Sequence, residues 1–413
     1  MSDVPELSVT LADVERAARG LAGKVVRTPL ILAPRFPGLP DVPVYLKLEN
    51  LQRTGAFKLR GATHRIAQLS EAEAKHGVIA ASAGCHAIGV AWAARERGVP
   101  ATIVMAENAS PLKVNLTRGL GARVVLHGTN YDEAHDHSVQ LAAAEHLTYI
   151  HPYDDPFVVA GQGTVGLEIL DDLPTVRRIV TGVGGGGLFS GIAAAVRGRG
   201  SHADLVGIQP KGVDNLGPSL RAGKVVRGGR PSTFADGLAT REIGELPLRV
   251  LRAAGVRSFT VEERTIVRAV FLLLEQVKVL AEGAGAAGLA GVLEHPELAA
   301  DGPVVVVVSG GNLDPFLLDR ILFIGLAAEG RLLRLSAALH DEPGQLERFL
   351  SVAARAGANV RHILHSRESP DRPPGEVTVE VELEVRDRVH GDEVETAYRA
   401  QGWSVARVPA PAV

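Results

Sequence analysis

The segment ENLQRTGAFKLRGA, residues 49–62, contains a lysine whose position suits chemistry better than solvation. Lys58 follows Phe57 on a short turn that begins with Gly55. A lysine on a surface helix would only be solvated, whereas a lysine in a partly dry pocket loses its charge easily. The resulting neutral amine is a nucleophile that forms imines with carbonyl groups. Lys58 is therefore a candidate nucleophile.

Four consecutive glycines, Gly184, Gly185, Gly186 and Gly187, lie between a β-rich run and a helical pattern. Successive backbone N–H groups without side chains can converge on one point, and the following helix adds the positive end of its dipole. This combination favours binding of an anion such as phosphate. A merely flexible turn is the weaker alternative, because glycines at a strand–helix junction reduce helix stability. No acidic residue stands at the spacing of a dinucleotide-binding fingerprint.

Two further junctions between strands and helices carry hydroxyl groups. Ser82 begins the run SAGCH, whose free N–H groups could hold a carboxylate. Taken alone, this run is better explained by helix capping by Ser82 and a His86 whose hydrogen bonds are satisfied inside the fold. Ser309 begins the run SGGN after a strand. A ligand that needs a phosphate site, a carboxylate site and an imine-forming lysine is pyridoxal phosphate with an amino acid substrate.

These junctions belong to a regular alternation of short strands, glycine turns and alanine-rich helices. The pattern predicts strands over residues 77–81, 101–105, 124–126, 178–181 and 304–308. Such an order is typical of an α/β fold with parallel sheets covered by helices on both faces. Ligands of these sheets bind at the carboxyl ends of the strands, which is where the glycine turns lie.

The pattern changes after residue 330. It predicts a strand over residues 332–339, a helix over 345–356, strands over 360–364 and 377–385, a helix over 389–401 and a strand over 403–408. A polar, proline-rich loop over residues 366–375 separates the two central strands. The order βαββαβ indicates a ferredoxin-like unit. We therefore predict a catalytic region over residues 1–330 and a separate unit over residues 331–413.

Composition narrows the class of protein. The chain has 413 residues, of which 46% are hydrophobic, so a sizeable core is expected. A net charge of −3 gives no electrostatic case for nucleic acid or an anionic membrane as a partner. The one cysteine excludes an internal disulfide. No apolar run reaches the ~18 residues of a membrane helix, and MSDVPELSVT lacks a signal pattern. We expect a cytoplasmic protein.

Ordered blocks of the sequence resemble the serine/threonine dehydratase family (threonine ammonia-lyases), which are fold-type II pyridoxal-phosphate enzymes. The resemblance runs from about residue 11 to about residue 331. Its blocks are ENLQRTGAFKLRGA, SAGCHAIGVA, HPYDDPFVVAGQGTVGLEIL, GVGGGGLFSGIAAA, FADGLA, EGAGAAGLAG and VVVVVSGGN. The resemblance implies two three-layer αβα domains, each with a parallel sheet. The large domain would contain about residues 1–45 and 156–330, and the small domain about residues 46–155.

The resemblance also implies roles for individual residues. Lys58 would bond covalently to pyridoxal 5′-phosphate, and the other cofactor-binding positions would be Phe57, Cys85, Gly184, Gly185, Gly186, Gly187, Leu188 and Ser309. The glycines and Leu188 would surround the phosphate, and Ser309 would lie at the pyridine nitrogen. The substrate carboxylate would lie among Ser82, Ala83, Gly84 and His86. The implied reaction removes the Cα proton and the β-hydroxyl of an amino acid of the L-threonine or L-serine type, giving a 2-oxo acid and ammonia.

Position 83 favours a lyase over a racemase, because racemases of the family have a second serine where this chain has Ala83. Cys85 stands where the family pattern has an asparagine, and a thiol is a weaker hydrogen-bond donor than an amide. Ala56 and Ile88 replace the usual serine and glutamine. These changes leave open β-replacement or a specialised β-substituted substrate. A non-catalytic amino-acid sensor is disfavoured, because a sensor needs no imine-forming lysine.

Two further expectations follow from the resemblance. Some members hold a divalent cation at a Glu-Pro turn, but this chain has Gln209 before Pro210, so we assign no metal-binding residues. Residues 331–413 resemble an ACT domain, in which the loop LHDEPG, residues 339–344, would be the ligand-binding turn. This unit is expected to bind an amino-acid effector or to support dimerisation. The expected assembly is a homodimer or a homotetramer.

Overall fold

The computed structural model describes residues 8–368 and 373–408. Residues 1–7 of the N-terminal segment, and residues 369–372 of the predicted proline-rich loop, lie outside the described ranges. The chain forms two compact units, Met1–Asp314 and Pro315–Val413. The sequence-based division at residue 330 differs from this one by the helix Pro315–Ala328, which groups with the second unit.

The first unit is an alternation of helices and strands. Its helices are α1 Leu11–Leu21, α2 Lys58–Ala67, α3 Glu71–His76, α4 Cys85–Arg97, α5 Pro111–Gly119, α6 Tyr131–Glu145, α7 Pro156–Asp172, α8 Gly187–Gly198, α9 Leu216–Ala222, α10 Glu245–Ala253, α11 Glu263–Leu272 and α12 Gly283–Glu294. Its strands are β1 Leu30–Leu32, β2 Val44–Leu48, β3 Val78–Ala81, β4 Ala101–Met105, β5 Arg123–Leu126, β6 Thr148–Tyr149, β7 Arg178–Gly182, β8 Asp204–Pro210, β9 Arg257–Val261 and β10 Val304–Val308.

Two sheets organise this unit. The larger sheet has six strands in the order β1-β2-β10-β7-β8-β9, and all pairs are parallel except that of β1 with β2. The smaller sheet has four parallel strands in the order β5-β4-β3-β6. Strand β10, a run of five valines, is buried along its whole length, as expected for a parallel strand covered on both faces. The predicted α/β fold with parallel sheets is confirmed.

The second unit begins with helix α13, Pro315–Ala328. It continues with β11 Leu332–His340, α14 Gln345–Arg355, β12 Asn359–Ser366, β13 Glu376–Glu384, α15 Arg388–Ala400 and β14 Val405–Arg407. These strands form an antiparallel sheet in the order β12-β13-β11-β14. Strands β11 and β13 bury every second residue, and the buried face packs with Phe349 of α14 and Tyr398 of α15. This arrangement confirms the predicted βαββαβ order.

Across residues 8–368 and 373–408, the helices are all too short or too polar to cross a lipid bilayer.

Candidate active site

A cavity of about 460 Å³ lies in the first unit, where the ends of β3, β7 and β10 lead into glycine-rich junctions. Every residue that the sequence analysis assigned to the site lines this cavity. These residues are Phe57, Lys58, Ser82, Ala83, Gly84, Cys85, His86, Gly184, Gly185, Gly186, Gly187, Leu188 and Ser309. The fold therefore brings the predicted residues to one place, although they come from four separate segments between residues 57 and 309 of the sequence.

Lys58 is the first residue of helix α2 and points into the cavity wall rather than into solvent. Its Nζ donates a hydrogen bond of 2.8 Å to the carbonyl oxygen of Pro152 and lies 5.3 Å from the centroid of the Phe57 ring. Burial lowers the pKa of Lys58 to about 8, although Cys85 and Glu282 oppose this shift. An appreciable fraction of the amine is consequently neutral and nucleophilic near that pH.

The turn before Lys58 is fixed to the segment that follows β10. The N–H of Phe57 donates to the Ser309 carbonyl over 3.0 Å, and the N–H of Gly311 donates to the Gly55 carbonyl over 2.8 Å. Gly55 has a φ of +73°, which favours glycine at this position. These backbone bonds hold the Lys58 amine and the Ser309 hydroxyl at the same edge of the larger sheet.

A buried ion-pair network joins helix α2 to strand β2 and helix α7. Arg60 is 1% exposed and pairs with Glu49 over 2.8 Å and with Glu168 over 2.6 Å. Lys47, in strand β2, also contacts Glu168 over 2.6 Å. Removing one partner would leave an uncompensated buried charge, so this network resists displacement of the helix that carries Lys58.

The tetraglycine loop, residues 184–187, packs so closely that side chains do not fit. A Cβ at Gly185 would lie 2.3 Å from the Tyr153 ring, and a Cβ at Gly187 would lie 2.9 Å from the Tyr153 Cα. Gly186 is the N-cap of helix α8, has a φ of +94° and makes no side-chain cap. The first N–H groups of α8 therefore lack a side-chain capping partner, which is the arrangement expected of a phosphate cradle.

The Ser82 loop, residues 82–86, has a different character. The Ser82 hydroxyl accepts a hydrogen bond from the Gly84 N–H over 3.1 Å, while helix α4 begins without a side-chain cap. Ordinary capping of α4 by Ser82, the alternative left open by the sequence, is therefore not what the structure shows. The first N–H groups of α4 remain available for an anionic ligand.

His86 is 3% exposed, and its Nε2 lies 2.9 Å from the Ile150 carbonyl oxygen. Burial lowers the pKa of His86 to about 3, so the ring is neutral. Because a carbonyl only accepts, Nε2 carries the proton and Nδ1 is an acceptor. Within the described part of the chain, this Nδ1 has no hydrogen-bond partner. A His86 with both ring nitrogens hydrogen-bonded, which the sequence allowed, is not what the structure shows, because only Nε2 has a partner among the residues described.

Ser309 follows β10 directly and is 5% exposed. Its hydroxyl lies 3.4 Å from the Ala284 carbonyl oxygen, a long hydrogen bond that leaves the group free to turn toward the cavity.

Two charged residues of the cavity, Glu282 and Lys113, were not identified from the sequence. Glu282 lies at the start of α12, and burial, followed by Asp236, raises the pKa of its carboxyl group to about 7. Lys113, from α5, forms an ion pair with Asp236. Tyr153 packs on the tetraglycine loop. Glu282 begins the block EGAGAAGLAG, so its place at the head of a glycine- and alanine-rich helix was the signal that could have identified it.

Within the described ranges, no group of three His, Cys, Asp or Glu residues is arranged to hold a metal ion. The Gln209 amide is already engaged with the backbone. Its oxygen accepts from the N–H groups of Asn215 and Leu216 over 3.1 Å and 2.8 Å, and its nitrogen donates to the Val183 carbonyl over 3.0 Å.

The fold and the cavity together define an α/β enzyme with a buried lysine amine and a tetraglycine loop that begins a helix without a side-chain cap. Residues 21–310 match the family model described as "Pyridoxal-phosphate dependent enzyme". The chain belongs to this family, and its cofactor is pyridoxal phosphate. The cavity residues fit pyridoxal phosphate, because Lys58 supplies a buried amine and the tetraglycine loop leaves a space that a Cβ atom would fill.

Curated relatives include the L-threonine ammonia-lyase of Thermotoga maritima, which is 42% identical over 397 residues and covers 96% of this chain and 99% of that protein. A catabolic L-threonine dehydratase of Staphylococcus aureus is 40% identical over 323 residues, covering 77% of this chain and 93% of that protein. Among solved structures, maize serine racemase is similar with a TM-score of 0.73 and 31% identity, covering 78% of this chain and 99% of that chain. Threonine deaminase isoform 2 from Solanum lycopersicum is similar with a TM-score of 0.71 and 33% identity, and the match covers 76% of this chain and 92% of that chain.

Proposed function

We propose that this protein is a pyridoxal-phosphate-dependent ammonia-lyase that converts L-threonine or L-serine to a 2-oxo acid and ammonia. The observation that carries this proposal is the buried Lys58 amine in the same cavity as the tetraglycine loop. The names of the Thermotoga maritima and Solanum lycopersicum relatives support the choice of threonine.

The cofactor, when bound, supplies an electron-withdrawing ring system that acidifies the Cα proton of an attached amino acid. Lys58 would hold the cofactor covalently, with Phe57 and Cys85 beside it. The N–H groups of the tetraglycine loop and Leu188 would bind its phosphate. Ser309 would face the pyridine nitrogen with a neutral hydroxyl, which favours elimination over a long-lived carbanion.

The substrate would lie against the Ser82 loop. Its carboxylate would accept hydrogen bonds from the free N–H groups at the start of α4, near Ala83 and Gly84, and His86 Nδ1 would accept a hydrogen bond in the same region. Once released, the Lys58 Nζ would take up the Cα proton, since burial keeps part of this amine neutral. Ala83 has no hydroxyl to return a proton from the opposite face, which supports a lyase over a racemase.

We further propose a catalytic region over residues 1–330, with the large and small domains given above, and an ACT-like unit over residues 331–413. The compact unit Pro315–Val413, which contains helix α13 in addition to residues 331–413, supports a separate C-terminal unit. So does the Staphylococcus aureus relative, which matches only 77% of this chain over nearly its own full length. Binding of an amino-acid effector by this unit, assembly as a homodimer or homotetramer, and a cytoplasmic location are parts of the same proposal.

The reaction is tested by measuring 2-oxo acid after adding L-threonine, L-serine or bulkier β-hydroxy amino acids to the protein loaded with pyridoxal phosphate. We expect turnover of threonine or serine by the natural protein and none by Lys58→Ala. Lys75→Ala, which changes an exposed lysine on α3, is the matched control and should keep full activity. Threonine and serine that stay intact while the cofactor is bound would refute the proposed reaction.

The effector is tested by isothermal titration of the full chain carrying Lys58→Ala with a panel of amino acids. Saturable heat that is lost in Asp341→Ala, a change in the LHDEPG loop, is expected for a ligand of the ACT-like unit. An absence of heat for every amino acid would favour assembly as the role of this unit.

A further inference from the structure

Cys85 lies in a polar cluster with Glu282 and Asn312 beside the Lys58 amine. The Cys85 thiol donates to Glu282 Oε1 over 3.3 Å, and Asn312 Nδ2 donates to the Cys85 Sγ over 3.3 Å. Asn312 Nδ2 also donates to the Thr54 carbonyl over 2.9 Å. The three side chains thus connect the start of α4, the start of α12 and the turn that leads to Lys58.

Two glycines, Gly55 and Gly310, leave the space that this cluster occupies. A Cβ at Gly310 would lie 2.4 Å from Glu282 Oε1, and a Cβ at Gly55 would lie 2.3 Å from Asn312 Oδ1. The Glu282 N–H also donates to the Gly310 carbonyl over 3.1 Å. Backbone and side chain therefore both fix Glu282, which is 6% exposed and still lines the cavity.

The charged and titratable groups that face Glu282 are Lys58, Cys85, Lys113 and Asp236. Burial, and to a smaller extent the charge of Asp236, raises the pKa of Glu282 to about 7. Lys113, Cys85 and Lys58 oppose this shift. Burial is the main cause that raises the pKa of the Cys85 thiol, and the negative charge of Glu282 raises it further. The thiol therefore stays protonated and donates to the carboxylate, and the carboxyl group is the member of this pair that gains and loses a proton near neutral pH.

We propose that Glu282 is a second proton-exchanging group of the active site, in addition to Lys58, and that Cys85 is the positioning residue that holds its carboxylate. This inference rests on the proposed function, because it assigns Glu282 to the same cavity. A group that accepts a proton during the reaction must first be ionised, so uptake of a solvent proton at a Glu282 carboxylate oxygen leaves a less active form of the site.

The side chain at position 85 donates a hydrogen bond to the Glu282 carboxylate, and the strength of that bond determines how well the ionised carboxylate is stabilised. A thiol is a weak donor, and a hydroxyl in its place would stabilise the ionised carboxylate better. Cys85→Ser should therefore shift the protonation of Glu282 to lower pH, whereas Cys85→Ala, which donates nothing, should shift it to higher pH. A purely structural cysteine would not move this pH in opposite directions in the two variants.

The first experiment needs no turnover, because Cys85 is the one cysteine of the chain. The ultraviolet absorbance of its thiolate is followed against pH in the loaded protein, with loaded Cys85→Ser as the blank. Glu282→Gln removes the negative charge that opposes thiolate formation, so the thiolate fraction at a given pH should rise about tenfold, which corresponds to one pH unit. Glu294→Gln, at the other end of α12, is the matched control and should leave the titration unchanged.

The second experiment is the pH dependence of kcat. The natural protein should lose activity below a midpoint near pH 7, the pH at which Glu282 takes up its proton. Glu282→Gln should keep the loss of activity that protonation of Lys58 causes near pH 8, but it should lack the further loss near pH 7. The two Cys85 variants should shift that further loss in the directions given above. An unchanged thiolate titration and an unchanged loss of activity near pH 7 in Glu282→Gln would overturn the inference while the lyase reaction stands. Conversely, coupling between the thiol and the carboxyl group without any turnover would refute the lyase reaction and leave the pair itself intact.

Discussion

The tetraglycine loop and the Ser82 loop join a strand to a helix at the same cavity, yet they are built in opposite ways. At Gly185 and Gly187 a Cβ would collide with Tyr153, whereas at Gly84 a Cβ would meet no atom within 4 Å. Close packing fixes the first loop in one shape, which suits a phosphate group of constant shape. The second loop retains space, which suits a substrate that must enter and leave.

The largest expected effect comes from filling the tightly packed loop. Gly185→Ala would place a methyl group against the Tyr153 ring, and overpacking of this kind costs about 1–3 kcal/mol. The affinity for pyridoxal phosphate should therefore fall about tenfold to hundredfold, measured by titrating cofactor into the apoprotein. Gly119→Ala, at the end of α5 with no atom within 4 Å of its Cβ, is the control and should bind normally.

The same change in the open loop should have a smaller and different effect. Gly84→Ala adds a methyl group where there is space, so cofactor affinity should stay within about twofold of the natural value. Because the methyl group enters the proposed substrate site, KM for threonine should rise by up to about tenfold, or about 1.4 kcal/mol. A loss of cofactor affinity in Gly84→Ala as large as that in Gly185→Ala would remove the distinction between the two loops.

The smallest expected effect is on the free energy of unfolding, and it comes from the buried carboxyl group of Glu282. Burial raises the pKa of the Glu282 carboxyl group from its ordinary value of 4.5 to about 7, so between these pH values the folded protein binds more protons than the unfolded chain. Stability is therefore lost as pH rises through this range, and the loss is complete above pH 7. Glu282→Gln should stabilise the apoprotein at pH 8 by about 1 kcal/mol, with little change at pH 4.

Denaturant unfolding of the natural apoprotein and of Glu282→Gln at both pH values measures this difference directly. Glu294→Gln again serves as the control, because its carboxylate accepts hydrogen bonds from Thr265 and from the Glu262 N–H outside the cavity. An equal gain in stability at pH 4 and pH 8 would show that the ionisation of Glu282 is not the cause.

Local patterns explain what could be predicted. The five valines of β10, the four glycines after β7 and the lysine after Gly55 are each recognisable within about ten residues of sequence. Strand β2 is harder to recognise, because it contains a buried lysine, Lys47. Its charge is compensated by Glu168, 121 residues further along the chain, and no local pattern reveals that partner.

The cluster around Glu282 was beyond sequence reasoning for the same physical reason. Cys85 is separated from Glu282 by 197 residues and from Asn312 by 227 residues, and only the folded chain brings the three together. The sequence indicated that position 85 is unusual but not what its thiol contacts. At the C-terminal end, the predicted strand over residues 403–408 is shorter in the structure, where β14 spans Val405–Arg407.

The central claim is that the Lys58 amine bonds to the cofactor that the tetraglycine loop holds. Borohydride reduction of the loaded protein, followed by proteolysis and mass spectrometry of the peptides, tests it most directly. The account predicts bleaching of the visible absorbance and a reduced pyridoxyl group on the peptide that contains Lys58. A pyridoxyl group on another lysine of the natural protein, or none at all, would contradict it.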